Sequence, residues 1–304
     1  MSALVSILSI YSFIFLGYIA KKIFTSQIDE KTLILISIYF MQPILTFWGL
    51  TRIPIDPTLI LTPIIYIITI TFTLIIMIFI SKFIFDEQKN KSIFIVTALI
   101  GNTGNLGIPL GIAVFGEQSI PYTSIINIAN IFFIYTVGIY FFSKGNFTFK
   151  ESFFSMIKIP ILWFSILALA FNYFHIPINL QIDKALQMGA YAAIVIQLLI
   201  FGIYLAKVNT KEQNYKLTVL TSSVKLIILP ILGIIFSFIF SLDSYAAAIL
   251  VLSLSTPLAV NNVNIAALYG CKPYLVTNVI LFSTILFLLI FYFDLHIIKS
   301  IFGV

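Results

Sequence analysis

Five asparagines lie in two short stretches that are also rich in glycine or proline. The first stretch, GNTGNLGIPL, spans 101–110, and the second, STPLAVNNVN, spans 255–264. Side-chain amides donate hydrogen bonds, and a helix interrupted by glycine or proline exposes backbone N–H groups at a positive dipole end. Such groups bind anions, so both stretches are candidate sites for a negatively charged small molecule. The asparagines are Asn102, Asn105, Asn261, Asn262 and Asn264.

The segments that must position these asparagines are strongly apolar. The chain has 304 residues, of which 61% are hydrophobic and 9% charged, whereas soluble domains have about 25% charged residues. Ten apolar runs have about the 20 residues that a helix needs to cross a bilayer. The sequence therefore predicts an integral membrane protein in contact with lipid. The runs lie near 4–21, 32–51, 58–81, 92–115, 122–143, 156–174, 185–206, 217–240, 244–269 and 275–297.

Basic residues predict the orientation of these spans. Thirteen of the 17 Lys and Arg residues fall in the odd-numbered loops, and only three fall in the even-numbered loops and the termini. Because cytoplasmic loops carry the excess of Lys and Arg, we expect the odd loops inside and both termini outside. No cleavable signal peptide is expected, since the first apolar run has no basic residues before it.

The ten spans divide into two groups of five. A shift of 154 residues places the first group on the second, and it places AVFG (113–116) on ALYG (267–270). Because each group has an odd number of spans, the second would be inserted upside down, as in many secondary transporters. We therefore expect an all-α membrane protein with ten transmembrane helices as two inverted five-helix repeats, the fourth and ninth helices being broken. The repeats are 1–145 and 156–304, joined by a cytoplasmic linker, 146–155.

The glycines and asparagines also allow simpler interpretations. Gly107 and Gly111 form a G-x-x-x-G face, which is typical of close helix packing. The asparagines could form hydrogen bonds between helices. However, an unpartnered amide costs roughly 2 to 7 kcal/mol when it is buried, so all five amides must face protein, water or substrate.

Other polar residues lie deep in apolar runs. Gln42 in the second span and Gln197 in the seventh are candidates for lining the path of a transported molecule through the membrane. Lys225 in the eighth span could extend to the membrane surface or hold the charge of an anion. Asn127 and Asn130 share one face of the fifth span and could reach the same binding cavity as the asparagines of 101–110 and 255–264.

Several classes of function lack the residues that they need. All eleven carboxylates lie in loops or at span ends, with Asp294 nearest to an exception, so a cation carrier is disfavoured relative to an anion carrier. The single cysteine excludes a cysteine cluster for a metal. The sequence has no H-E-x-x-H motif and no paired aspartates, so an enzyme is disfavoured. It has no basic stripe, so nucleic-acid binding is disfavoured too. We expect no resident cofactor; sodium or proton coupling and a channel stay open.

Two longer motifs carry a resemblance to a known family. GNTGNLGIPLGIAVFG (101–116) and TPLAVNNVNIAALYG (256–270) resemble the two crossover motifs of the auxin efflux carrier family. This family includes plant auxin carriers and bacterial malate-permease-like carriers. The similarity extends to YFMQPILTF (39–47) and KLIILPILG (225–233), so it covers the ten-span plan from end to end.

The resemblance implies a scaffold of spans 1, 2, 6 and 7, a mobile transport domain of spans 3–5 and 8–10, and a homodimer. It also implies roles for the crossover residues: Asn102 matches the crossover asparagine, and Pro109 and Pro257 match the crossover prolines. Plant members typically have proline where this chain has Gly101, and many have a long central loop that is missing here. These departures favour the bacterial branch, in a prokaryotic inner (plasma) membrane. The remaining crossover backbone positions are Gly104 and Gly107.

The expected function is a secondary transporter for small organic anions such as malate. In the expected mechanism, crossed half-helices at 101–109 and 256–264 hold the carboxylate, and an elevator motion moves it across the membrane. The alternative is a sodium-coupled symporter of the bile-acid-transporter type on the same architecture.

Overall fold

The computed structural model describes residues 2–52, 54–143, 154, 157, 158, 160–206 and 213–304, and for residues 2–10, 30 and 31 it describes only the backbone. The expected linker, 146–155, lies outside the described residues except for Phe154. Within the described part the chain is helical and contains no strand.

Twelve helices are present in the described part of the chain. Long apolar sequences form most of them, because a helix satisfies its own backbone hydrogen bonds in lipid. They are α1 Ser2–Ile23, α2 Thr32–Leu50, α3 Pro57–Ile84, α4 Gln88–Thr97, α5 Thr103–Phe115, α6 Glu117–Phe142, α7 Pro160–Tyr173, α8 Leu180–Leu205, α9 Tyr215–Ile239, α10 Ser244–Ser255, α11 Asn261–Leu268 and α12 Pro273–Phe302.

Six of these helices are long and apolar enough to cross a membrane: α2, α3, α6, α8, α9 and α12. Three shorter helices, α5, α7 and α10, are also apolar. The prediction of a multi-pass membrane protein is therefore confirmed at this level, for the residues that the structure describes. The count of ten spans and the inverted repeat stay predictions.

Four helices contain a π turn, at Ser37–Met41, Thr103–Gly107, Ile134–Gly138 and Val224–Ile228. In three of them a proline stands at the second position after the turn. A proline ring clashes with the carbonyl four residues earlier and removes one donor. The wider π turn relieves this conflict, because its hydrogen bonds span one more residue. The prolines are Pro43, Pro109 and Pro230.

The π turns correct one expectation from the sequence. The stretch 101–109 was expected to be unwound, but Gly104 and Gly107 lie within the π turn and Pro109 lies in the α-helical turn that follows. The non-helical segment is shorter and lies earlier, at 98–102. Helix α5 tolerates Gly104, Gly107 and Pro109 because the first turn of a helix, and a π turn, leave some backbone groups without the regular α-helical hydrogen bond.

The described residues group into two compact units. Unit 1 contains those of 1–60, 104–128 and 157–207, and unit 2 contains those of 61–103, 129–156 and 208–304. In unit 1, α1 and α8 approach so closely that a Cβ on Gly202 would lie 1.9 Å from the carbonyl oxygen of Ile14. Only glycine permits this approach. In unit 2, α9 packs against α4, α10 and α12.

Candidate functional site

The two non-helical segments of unit 2 meet each other through their backbones. The first, 98–102, separates α4 from α5, and the second, 256–260, separates α10 from α11. Gly101 and Leu258 form an isolated antiparallel bridge. In it, the Asn102 N–H donates to the Pro257 carbonyl at 2.8 Å, and the Ala259 N–H donates to the Ile100 carbonyl at 3.0 Å. The bridge pairs polar backbone groups that would otherwise be buried without partners.

The sequence around Pro257 explains where α10 ends. Thr256 has an extended conformation, with φ −55° and ψ 144°, which is the conformation that a residue before proline prefers. The Thr256 hydroxyl donates to the Ser253 carbonyl at 2.7 Å, so it satisfies one carbonyl of the last turn. The break is therefore built into the local sequence.

Asn130 on α6 holds the first break in place. Its Nδ2 donates to the Gly101 carbonyl at 2.8 Å and to the Thr103 Oγ1 at 2.9 Å. The Tyr66 hydroxyl on α3 donates to the Asn130 Oδ1 at 3.1 Å. Tyr66, Gly101, Thr103 and Asn130 are all buried, so Tyr66 and Asn130 form a fixed support for the break. The sequence suggested Asn130 but not Tyr66, whose only signal was a hydroxyl in the middle of an apolar span.

Asn262 connects the start of α11 to the first break. Its buried Nδ2 donates to the Ala259 carbonyl at 2.9 Å and to the Ile100 carbonyl at 3.3 Å. Its Oδ1 has no hydrogen-bond partner among the described residues. On the second break, the Leu258 N–H donates to the Ser283 Oγ at 3.3 Å.

Lys225 lies in the π turn of α9, directly against the bridge. A Cβ built on Gly101 would lie 2.5 Å from the Lys225 Nζ and 3.0 Å from the Thr256 Oγ1. The lysine side chain is fully buried, with 0% exposure. The interpretation that it extends to the membrane surface is therefore wrong. Among the described residues, its Nζ has no hydrogen-bond partner.

Asn102 follows Gly101 and presents a second free donor. The residue is 3% exposed, and its backbone N–H is used in the bridge. Its side-chain Nδ2 has no hydrogen-bond partner within the described part of the chain. Two free donors therefore lie near Gly101: the amide of Asn102 on the first break and the amine of Lys225 on α9, for which the glycine leaves room.

The other predicted residues lie elsewhere. In unit 1, the Gln42 Nε2 donates to the Asn105 Oδ1 at 3.4 Å, a long and therefore weak hydrogen bond. Gln197 on α8 is fully buried, and neither polar atom of its side chain has a partner among the described residues. Asn261 and Asn264 lie on α11 and are only partly buried.

Two glycines of α5, Gly104 and Gly111, lie against side chains of α6. In unit 1, a Cβ on Gly104 would lie 2.8 Å from the Asn127 Oδ1, and a Cβ on Gly111 would lie 2.7 Å from the Thr123 Cγ2. These two glycines therefore permit close contact with α6.

Comparison with known proteins identifies the family. The sequence model of a family described as "Membrane transport protein" matches residues 2–293, which is nearly the whole chain. A search of curated proteins found no match. Members of the matched family are transporters rather than enzymes. The chain belongs to the auxin efflux carrier family of membrane transporters.

Proposed function

We propose that this protein is a secondary transporter that moves small organic anions, malate or other carboxylates, by elevator-type alternating access. The observation that carries the proposal is the buried Lys225 amine beside the bridge, without a partner among the described residues.

An anionic substrate is favoured because a buried charge without a partner is costly. An unpaired ammonium group inside a protein costs several kcal/mol. A substrate carboxylate next to Lys225 would supply the missing opposite charge, and the free Nδ2 of Asn102 would donate to the same group. Hydrogen bonds to a charged group contribute roughly 1.5 to 3 kcal/mol each, which is enough to favour an anion over a neutral analogue.

Unit 2 would bring this binding group to either side of the membrane. The bridge ties the breaks together, and Asn130 holds the first one, so the group would move without being reshaped. We also propose Gln42, Asn105 and Gln197, which lie in unit 1, as substrate-contacting residues. Asn261 and Asn264 would contact the substrate from α11. A homodimer in a prokaryotic inner membrane, with both termini outside, completes the proposal.

Uptake of radiolabelled malate into proteoliposomes tests the assignment. Lys225→Met removes the charge but keeps most of the side-chain length, and Asn102→Ala removes the free donor. We expect uptake to fall about 10- to 100-fold for each variant, because each removes a hydrogen bond to the substrate carboxylate worth roughly 1.5 to 3 kcal/mol.

The matched control is Lys82→Met, because Lys82 is an exposed lysine at the end of α3. This variant should transport malate at the wild-type rate. Normal uptake by Lys225→Met and Asn102→Ala, with both variants folded, would contradict the site. Absence of malate uptake by the wild-type protein would contradict malate as a substrate.

A further inference from the structure

We propose that the Lys225 amine also carries the coupled ion, taking up one proton with each substrate anion and releasing it when the anion leaves. This inference rests on the proposed function, because it requires the anion to bind beside Lys225. It identifies the driving ion as a proton.

Among the described residues, no protein group supplies a counter-charge to Lys225. No hydrogen bond or ion pair in this part of the chain joins its Nζ to another residue. The helices packed around α9 carry their titratable groups mainly toward their ends, and several of these groups are already engaged. The Lys89 and Lys216 amines donate to the carbonyls of Gly270 and Ile84, both at 2.9 Å. The titratable groups on α3, α4, α9, α10 and α12 are Tyr66, Lys82, Lys89, Lys91, Tyr215, Lys216, Tyr245, Tyr274, Tyr292, Asp294, His296 and Lys299.

The charge on the amine must therefore follow the charge of the ligand. With a carboxylate beside it, the ammonium form is paired and can be buried. Without the carboxylate, a buried ammonium would cost several kcal/mol, and the amine avoids this cost by losing its proton. Because Lys225 is buried, its amine takes up a proton when the anion binds and loses the proton when the anion leaves.

The proton balance of a transport cycle follows directly. On release, one N–H bond of the ammonium breaks, its electron pair stays on Nζ, and the proton passes to water on the side where the anion leaves. On binding, water on the opposite side supplies the proton to the neutral amine. Each cycle therefore moves one anion and one proton in the same direction, and a proton gradient drives anion accumulation.

Calorimetry on the purified full-length protein tests the inference. Malate is titrated at pH 7.5 in HEPES and in Tris, whose ionisation enthalpies differ, so the difference in binding heat gives the number of protons taken up. Malate itself is ionised at this pH, since carboxyl pKa values lie near 4. We expect uptake of about one proton per malate bound by the wild-type protein and by the control Lys82→Met.

Lys225→Arg separates charge from proton exchange, because arginine stays protonated. We expect this variant to bind malate without proton uptake, and its transport to be insensitive to a pH gradient across proteoliposomes. Lys225→Gln gives a second variant, neutral at any pH, in which proton uptake should also be lost.

Each other outcome contradicts a specific step. Malate binding by the wild-type protein without proton uptake would overturn the proton coupling and leave the proposed function intact. Proton uptake that persists in both Lys225→Arg and Lys225→Gln would overturn the assignment to this residue. Failure of the wild-type protein to bind malate would overturn the proposed malate function and this inference with it.

Discussion

The two chain breaks of unit 2 pair with each other, but the protein supports them differently. The first break receives side-chain hydrogen bonds at Gly101 from Asn130 and at Ile100 from Asn262, and Asn130 also donates to the adjoining Thr103. The second break receives a bond at Ala259 from Asn262 on the following helix, and its Leu258 N–H donates to the Ser283 Oγ over a long 3.3 Å. The first break is thus held more firmly, because its bond from Asn130 is short and Asn130 is itself held by Tyr66.

The breaks also differ in the chemistry that they leave free. At the first break, Asn102 has an unused donor, the Nδ2 group; near the second, Asn262 has an unused acceptor, the Oδ1 atom, within the described part of the chain. Donors bind a carboxylate, whereas an acceptor suits a hydroxyl group of a substrate such as malate. Under the proposed function, the more firmly held first break would bind the charged group of the substrate, and the second would contact the rest of it.

Asn130→Ala should have the largest effect on stability. The substitution leaves the Gly101 carbonyl, the Thr103 hydroxyl and the Tyr66 hydroxyl without their present partner, at about 1 kcal/mol each. We expect the free energy of unfolding to fall by roughly 3 kcal/mol, measured by circular dichroism during SDS titration. Asn214→Ala, which removes a helix cap with one bond, is the control and should cost about 1 kcal/mol.

Asn262→Ala should come next, because it removes two bonds and touches both breaks. We expect a loss of roughly 2 kcal/mol in the same SDS titration. If Asn262→Ala were less stable than Asn130→Ala, the second break would be the better supported of the two.

Tyr66→Phe removes a single hydroxyl and keeps the ring. The Asn130 Oδ1 loses its donor, so we expect a loss of about 1 kcal/mol in the free energy of unfolding and a modest fall in malate uptake. Tyr292→Phe on α12 changes an exposed tyrosine and should change neither quantity. Equal effects of the two substitutions would argue against a support role for Tyr66.

Ser283→Ala should have the smallest effect. Its bond to the Leu258 N–H is long, at 3.3 Å, so we expect a loss of less than about 1 kcal/mol. The exposed Ser300→Ala on the same helix serves as the reference in the unfolding titration. A loss as large as that of Asn130→Ala would show that the second break has equal support.

The membrane class and the region of the breaks could be predicted from the sequence. Apolar runs of span length allow few other structures, and proline and asparagine at bilayer depth indicate irregular backbone. The position of the first break could not be predicted, because the π turn at Thr103–Gly107 keeps the glycines helical. A π turn depends on tertiary packing rather than on residue type alone.

The supports of the breaks were harder to predict for a different reason. Tyr66 and Asn130 are 64 residues apart, and one sequence holds no information on which hydroxyl meets which amide. The position of the Lys225 amine likewise depends on how α9 packs against its neighbours, so the sequence left two interpretations open. Only the packed structure separates a surface lysine from a buried one.

Three of the proposed ligand residues lie in a π turn or directly after one: Gln42, Asn105 and Lys225. A π turn holds one residue more than an α-helical turn, and the extra residue is absorbed within that turn. Deleting one residue there would restore a regular α-helix, with later side chains on nearly their present faces and only the side chains within the turn displaced. Among relatives of this chain, one-residue length changes at these turns should therefore change the proposed ligand residues and leave the packing of the rest of each helix intact.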